Sequence, residues 1–267
     1  SWVAKQEKQD NLSRIITQPG QEYPLRQQLI QPTWVHAFDV RLALHQGRFN
    51  ALAEYALKGQ DPSFDNGYTY GLGSALLVST SYARRGFVAL FQAKRAENMS
   101  FRSQRSGSLS PSMLNHLPPF TPQPTYALTT LYPYATQSVP GEWAFQGEIS
   151  YNLPKRSTLG GRYGTALKGH ASQIFALRLN PIAAAQSLSG TASSASSNLM
   201  GTDGMQSRGF FAMGSTLYRE IGVDFDRRLS HPLHLHLAYL HQCYDKTAIE
   251  GKGGFITTHI GIGELRW

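Results

Sequence analysis

The residues whose type and spacing best suit metal chemistry are four histidines near the C-terminal end: His231, His234, His236 and His241. Successive side chains of a strand point to opposite faces, so His234 and His236 would share one face. Asp224 or Asp226 could reach the same ion from a partner strand, because imidazole nitrogen and carboxylate oxygen both bind divalent metals. His241 would point the other way. The sequence therefore offers only weak metal candidates, His234, His236 and Asp224, and ordinary histidines on a polar strand face are the favoured interpretation.

Acid/base or nucleophilic catalysis has little support in the sequence. Asp224 and Asp226 would share a strand face, but carboxylates two residues apart are common on any polar face. The chain contains no G-x-S-x-G, P-loop or C-x-x-C motif, and the single Cys243 cannot form an internal disulfide. We predict that the protein is not an enzyme and binds no cofactor. A hydrolase built into a membrane barrel is the enzymatic alternative.

Basic residues occur in pairs that would lie in turns: Arg84-Arg85, Lys155-Arg156 and Arg227-Arg228. The formal net charge of +8 favours anionic partners in general. Proteins that bind nucleic acid combine such charge with aromatic side chains on one surface, whereas these pairs are scattered along the chain. We therefore predict contacts with anionic lipid headgroups, or simple solubilisation of the turns, and no nucleic-acid partner.

Composition indicates which kind of structure must position these residues. The chain has 267 residues, of which only 16% are charged and 11% are aromatic, and it contains 25 glycines. This composition argues against a helical protein rich in surface charge, since about 25% charged residues is usual. No run of about 18 apolar residues occurs, which excludes a transmembrane helix. A membrane β-barrel is still compatible with the sequence, because its strands bury only alternate side chains in lipid.

Alternation of apolar and polar residues recurs along most of the chain after about residue 30. The clearest case is 142–153, where Trp143, Phe145, Ile149 and Tyr151 would lie on one face and the opposite face is polar apart from Ala144. The same pattern predicts about nine strands, mostly paired as antiparallel hairpins. They cover 34–45, 49–58, 70–82, 87–97, 142–153, 164–178, 217–226, 233–239 and 255–267.

Short and long connections alternate between these strands. Longer links separate the hairpins at 59–69, 98–141, 179–210 and 246–254. This alternation is typical of outer-membrane barrels, which have tight periplasmic turns and longer extracellular loops. We predict an extended or loop lead-in at 1–33 and a barrel section at 34–267, with long loops at 98–141 and 179–210. Because single-chain bacterial barrels have even strand numbers, a further strand within 125–134 is an open alternative.

The predicted fold class is therefore all-β, an antiparallel up-and-down transmembrane β-barrel, of which this chain is an incomplete section. Polar strand faces would line the lumen with Asp39, Arg41, Glu54, Lys58, Lys94, Glu148, Lys168, Glu220, Asp224, Asp226, His234 and His236. Apolar strand faces would meet lipid with Trp34, Phe38, Leu42, Tyr55, Phe87, Phe91, Trp143, Phe145, Ile149, Tyr151, Val223, Phe225, Leu235, Leu237 and Tyr239. A soluble sheet would instead pack its apolar face on a core, but long strands and aromatics near strand ends favour the membrane.

Four segments also carry a family resemblance: DPSFDNGY (61–68), KRAENMSFR (94–102), LYPYATQ (131–137) and GGRYGT (160–165). Through them the chain resembles, over about residues 34–267, an uncharacterised family of large Bacteroidota outer-membrane β-barrel proteins. The resemblance implies the outer membrane of a Gram-negative bacterium and further strands beyond this section. It transfers no site residues, because no activity is attached to the family.

We predict one of two functions for such a barrel. It is either a porin-like pore for small polar solutes or a scaffold subunit of an envelope complex, surrounded by outer-membrane lipid or lipopolysaccharide and contacting other envelope proteins through its long loops. The interior could hold an open pore or a plug of ion-paired side chains. The alternative from another class is a soluble or surface-attached β-sandwich that binds glycan or protein.

Overall fold

The computed structural model describes residues 1–7, 13–16, 25–28, 31–63, 66, 69–103, 114, 141–181 and 205–267. The strands, in chain order, are β1 (Trp2–Gln6), β2 (Ser13–Ile16), β3 (Leu25–Gln28), β4 (Trp34–Gln46), β5 (Phe49–Lys58), β6 (Gly73–Arg84), β7 (Phe87–Glu97), β8 (Glu142–Leu153), β9 (Thr165–Leu177), β10 (Leu179–Pro181), β11 (Met205–Ser207), β12 (Met213–Arg228), β13 (His234–Asp245) and β14 (Phe255–Arg266). A single turn of helix, α1 (Lys246–Glu250), precedes β14. No helix among the described residues is long and apolar enough to cross a membrane.

Ten strands form one large antiparallel sheet in the order β1-β4-β5-β6-β7-β8-β9-β12-β13-β14. Strands adjacent in the sheet follow one another along the chain, apart from the two small sheets β2-β3 and β10-β11, so the large sheet is an up-and-down meander. The prediction of an all-β antiparallel fold is confirmed. Within the described residues the large sheet is open rather than closed into a barrel, with β1 and β14 as its edges.

The large sheet has one strand more than the sequence predicted. The additional strand, β1, lies within the predicted lead-in at 1–33 and pairs with the first residues of β4, from Trp2 opposite Phe38 to Gln6 opposite Trp34. A strand of five residues offers too little alternation to be detected in the sequence. The predicted loops lie largely outside the described residues, as does the whole of 125–134.

Two-residue turns close the β4–β5 and β6–β7 hairpins at one end of the large sheet. Gly47 and Gly86 form part of two-residue turns with φ angles of 59° and 78°, in the left-handed region that glycine adopts without steric cost. We name this end, with the connections 47–48, 85–86, 154–164 and 229–233, the turn end. The opposite end, with the connections 59–72, 98–141, 178–212 and 246–254, is the loop end.

The pairing register assigns each strand side chain to one of two faces, because residues directly opposite each other in antiparallel strands point the same way. Along one row, for example, Val40 is opposite Tyr55, Tyr55 is opposite Leu76, and Leu76 is opposite Arg95. We name the face containing this row the apolar face and the other the polar face. A small cluster of buried apolar residues lies toward the loop end, formed by Ala144, Ile174, Leu217, Tyr218 and Tyr244.

Candidate functional site

The polar face gathers all of the residues that the sequence predicts to face a lumen. The register sets Arg41 opposite Glu54 and Lys168 opposite Asp224, and alternation along the strands brings the others to the same face. Some form ion pairs there. Arg41 Nη2 lies 2.5 Å from Glu54 Oε2, and Lys168 Nζ lies 3.2 Å from Glu148 Oε2. That this face lines a lumen stays a prediction.

The apolar face gathers all of the residues predicted to meet lipid. Leu42 and Ile149 are 69% and 56% exposed on it. Extensive contacts of each large-sheet strand are confined to its sheet neighbours. Trp143 differs from the others, because it is buried beneath Phe210 and Phe211 and donates from Nε1 to the Phe210 carbonyl oxygen at 3.0 Å.

A buried ion pair occupies the polar face toward the loop end. Lys94 Nζ lies 2.6 Å from Glu142 Oε1, and both side chains are fully buried. The register sets Lys94 opposite Ala144 and Glu142 opposite Ala96, so the ion pair is a diagonal contact between β7 and β8. Two small alanines therefore flank the pair and leave room for its long side chains.

Two further lysines at the loop end also meet oxygen atoms. Lys5 Nζ lies 2.8 Å from Asp61 Oδ2 and 3.1 Å from Glu7 Oε1. Lys58 Nζ donates to the carbonyl oxygen of Ser100 at 2.6 Å. Because Lys5 and Lys58 are buried as well, each cation needs such a partner to offset the loss of its water.

Two asparagines join the connections that cover the loop end. Asn66 Nδ2 donates to the Asp61 carbonyl oxygen at 2.8 Å and to Asn98 Oδ1 at 2.9 Å. Asn98 Nδ2 in turn donates to the Gly71 carbonyl oxygen at 2.7 Å. These bonds connect the chain after β5 to the chain after β7, and each segment also contacts a buried lysine, through Asp61 to Lys5 and through Ser100 to Lys58.

A line of polar side chains crosses the middle of the polar face on β9, β12 and β13. We name it the central network, and it consists of Tyr218, Glu220, Gln242, His170, Asp224, His236 and Asp226. Glu220 Oε2 accepts hydrogen bonds from Gln242 Nε2 at 2.7 Å and from the hydroxyl of Tyr218. Glu220 Oε1 lies 3.1 Å from His170 Nε2, but the direction of the ring nitrogen is not that of a hydrogen bond. The contact is therefore an ion pair when the imidazole is protonated.

Toward the turn end the central network alternates carboxylates with imidazoles. His170 Nδ1 lies 3.8 Å from Asp224 Oδ2, and His236 Nε2 lies 3.9 Å from Asp224 Oδ1. His236 Nδ1 then lies 3.6 Å from Asp226 Oδ2. These distances are too long for hydrogen bonds between the groups, so each contact is an ion pair only when the imidazole is protonated. Such a line of groups suits contact with water and exchange of protons.

Gly222 makes room for one of the imidazoles. It is directly opposite His170 in the register, and a Cβ atom at Gly222 would overlap the imidazole ring. Glycine at this position therefore lets the ring lie across β12, between Glu220 and Asp224. The central network therefore depends on glycine at position 222 as well as on its polar side chains.

The histidines predicted as metal candidates do not converge on one point. His236 lies in the central network, whereas His234 is directly opposite Arg266 at the turn end. His241 lies on the apolar face, with its Nδ1 3.4 Å from Nδ1 of His259. In the part of the chain that the structure describes, no three His, Cys, Asp or Glu side chains form a group that could hold a metal ion.

Four of the residues that organise the polar face were not among the predicted site residues: His170, Tyr218, Gln242 and Glu142. His170 lies on β9, where small residues on both faces weaken the alternation of polar and apolar residues. Tyr218 and Gln242 carry no charge, and the importance of each comes from its contact with Glu220. Glu142 was visible as a polar position at the start of β8, but its pairing with Lys94 depends on the register.

The fold and the site define a class of protein: an antiparallel β-sheet with one polar and one apolar face, in which ionised side chains are buried on the polar side. The chain belongs to a family of unknown function, DUF6029, whose family model matches residues 1–267. The match extends beyond the region 34–267 over which the sequence showed its resemblance. No curated protein and no solved structure matches the chain.

Proposed function

We propose that the protein is an integral outer-membrane β-barrel protein of a Gram-negative bacterium, whose polar face lines a passage for small polar solutes. One observation carries the proposal, which is the inverted burial of the sheet. Lys94 and Glu142 are 0% exposed, whereas Leu42 and Ile149 are 69% and 56% exposed. In water, each large apolar side chain left exposed forgoes about 1.5–3 kcal/mol of burial, whereas lipid would cover them all.

The height of the apolar face supports this proposal. On β12 the apolar face carries Ile221, Val223 and Phe225 between Arg219 and Arg227. At about 3.4 Å per residue, the two arginines are ~27 Å apart along the strand. A strand tilt of about 40° reduces this to roughly 20 Å across the bilayer, close to the ~25 Å apolar band of known barrels. Arginine side chains at both borders can extend toward the headgroups.

The open edges of the large sheet support a section of a larger barrel. Across the described residues, β14 pairs on one side only, with β13. Lipid cannot satisfy the backbone groups of a free strand edge, so a membrane barrel must close. Further strands next to β1 and β14 would complete the wall, and the Bacteroidota resemblance of the sequence is consistent with such a large barrel.

A second function, as a scaffold subunit of an envelope complex, is favoured by one observation. The buried pair Lys94–Glu142 and the segments above it fill the polar face at the loop end, where a solute would have to enter. A plugged barrel would instead contact envelope proteins through its long loops. Outer-membrane lipid or lipopolysaccharide would surround the barrel in either case.

The alternative from another class is a soluble or surface-attached β-sandwich that binds glycan or protein. In that fold a second sheet would cover the apolar face. The test is purification with and without detergent, followed by electrophoresis of heated and unheated samples. We expect detergent-dependent extraction and a heat-modifiable shift in migration. A monodisperse protein without detergent would overturn the barrel proposal.

Single-channel conductance of the full-length protein in planar bilayers distinguishes the passage from the scaffold. We expect discrete current steps. Glu148→Gln should shift the reversal potential in the direction of anion selectivity, because it removes a carboxylate from the polar face. Ile149→Leu, on the neighbouring residue of the apolar face, is the matched control and should leave the potential unchanged. Absence of steps above background would favour the scaffold.

A further inference from the structure

A second charged region adjoins the central network at Asp226, in a cleft of about 950 Å³ at the turn end. Arg84 and Arg85 line it from the β6–β7 hairpin, Lys155 from the β8–β9 connection, and Arg228 from the end of β12. The only carboxylate in this lining is Asp226. Four cationic residues from the β6–β7 hairpin, the β8–β9 connection and the end of β12 therefore line one cleft with a single carboxylate.

The guanidinium of Arg228 is held in place before any ligand arrives. Its Nε donates to the carbonyl oxygens of Ser230 at 3.1 Å and His231 at 3.0 Å. The same guanidinium lies 5.3 Å from the ring centroid of Tyr163, which also lines the cleft. Such fixed donors lose less conformational entropy on binding than a freely rotating arginine would.

The connection that carries Lys155 is also ordered. Within it the Arg156 amide donates to the Gly161 carbonyl oxygen at 2.6 Å, and the Gly160 amide donates to Ser157 Oγ at 2.9 Å. These bonds fold residues 154–164 back on themselves beside the cleft. The connection therefore forms a fixed wall and is more than a solubilising turn.

The remaining cations are available to a ligand. Among the described residues, Arg84, Arg85 and Lys155 form no ion pair, and all three are exposed. Arginine presents its donors as a planar fork that matches two oxygens of one phosphate group. The excess of cations in one cleft calls for a ligand with more than one negative charge.

We propose that the turn-end cleft binds a multivalent phosphate-bearing anion, with Arg84, Arg85, Lys155 and Arg228 as its ligands. The phosphate groups could belong to a solute or to a lipid headgroup, since both present the same oxygens. This binding site is a proposal separate from the passage, and it rests only on the geometry of the turn end. Its failure would leave the barrel proposal intact, and a failure of the barrel proposal would leave the cleft to be tested.

The experiment is isothermal titration calorimetry of the full-length protein in nonionic detergent with sodium pyrophosphate. We expect saturable binding that weakens as salt is added. Arg84→Gln/Arg85→Gln should weaken it by about tenfold or more, the effect of losing one charge-assisted contact. Arg178→Gln/Lys252→Gln is the matched control, since it removes two exposed cations from the loop end and should change the affinity by no more than about twofold.

The source of the phosphate is tested by competition. Dihexanoyl phosphatidic acid is titrated against bound pyrophosphate, with dihexanoyl phosphatidylcholine as the zwitterionic control. Displacement by phosphatidic acid at a lower concentration than free pyrophosphate requires would support a lipid headgroup, and weaker displacement would support a solute. No saturable binding at millimolar pyrophosphate, or an equal loss in the control variant, would overturn the proposal. Circular dichroism of each variant checks that the sheet is retained.

Discussion

The two ends of the large sheet use the same kind of charge in opposite ways. At the loop end Lys5, Lys58 and Lys94 are buried, and each meets a carboxylate or carbonyl oxygen. At the turn end Arg84 and Arg85 are exposed and, among the described residues, form no ion pair. A buried cation must be matched when the chain folds, whereas an exposed one remains available to a ligand. The difference assigns stability to the loop end and recognition to the turn end.

The largest effect is expected from breaking the buried pair of the loop end. Glu142→Gln leaves the Lys94 ammonium buried without its carboxylate, so the free energy of unfolding should fall by about 3–5 kcal/mol. Denaturant titration followed by tryptophan fluorescence measures the change. The control, Lys94→Met/Glu142→Leu, removes both charges at similar volume and should cost much less. An equal loss in the single and double variants would contradict the role of the unpaired charge.

A smaller effect is expected from a charge placed on the apolar face. Ile149→Arg should lower the free energy of unfolding in lipid vesicles by about 2–4 kcal/mol, because the charge would lie within hydrocarbon. Ser150→Arg is the matched control, on the next residue of β8 and on the polar face. If the apolar face met water instead, Ile149→Arg would change the stability by less than about 0.5 kcal/mol, the usual range for a surface substitution.

The next effect concerns the central network between the two ends. Gly222→Ala introduces a Cβ atom where the ring of His170 lies, so the ring must move from its place between Glu220 and Asp224. We expect the free energy of unfolding to fall by about 1–3 kcal/mol, as for other overpacked sites. Gly147→Ala is the control, since a Cβ atom at Gly147 would meet no atom within 4 Å. Denaturant titration measures both variants. An equal loss of stability in Gly222→Ala and Gly147→Ala would contradict the overlap between the added Cβ atom and the ring of His170.

Face assignments could be predicted from the sequence, because alternation depends only on neighbours along one strand. Glu148, Ile149 and Ser150 of β8 already indicate two faces without any knowledge of a partner strand. The same reasoning placed Asp224 and His236 on one side of a hairpin, where the structure brings their side chains to 3.9 Å. Long, regular strands between short turns were therefore the part of the fold that the sequence predicted well.

Contacts between strands could not be predicted, because they depend on register and on distant segments. Lys94 and Glu142 meet diagonally across β7 and β8, so their contact depends on the pairing of two strands that are far apart in sequence. His170 was missed because β9 carries small residues on both faces, including Gly169 and Ala171. Its role is visible only when Gly222 is found directly opposite.

The smallest effect on stability is expected at the turn end, where the comparison between the two ends is sharpest. Arg84→Gln/Arg85→Gln should change the free energy of unfolding by less than about 0.5 kcal/mol per residue, because exposed side chains without ion pairs contribute little to folding. The same variant should weaken pyrophosphate binding by about tenfold or more, whereas Glu142→Gln should lose stability and, where folded, retain the binding. Denaturant titration and calorimetry on the same samples would show that one variant changes binding and the other changes stability. A large loss of stability in Arg84→Gln/Arg85→Gln would mean that these arginines support the hairpin, and the turn end would then resemble the loop end.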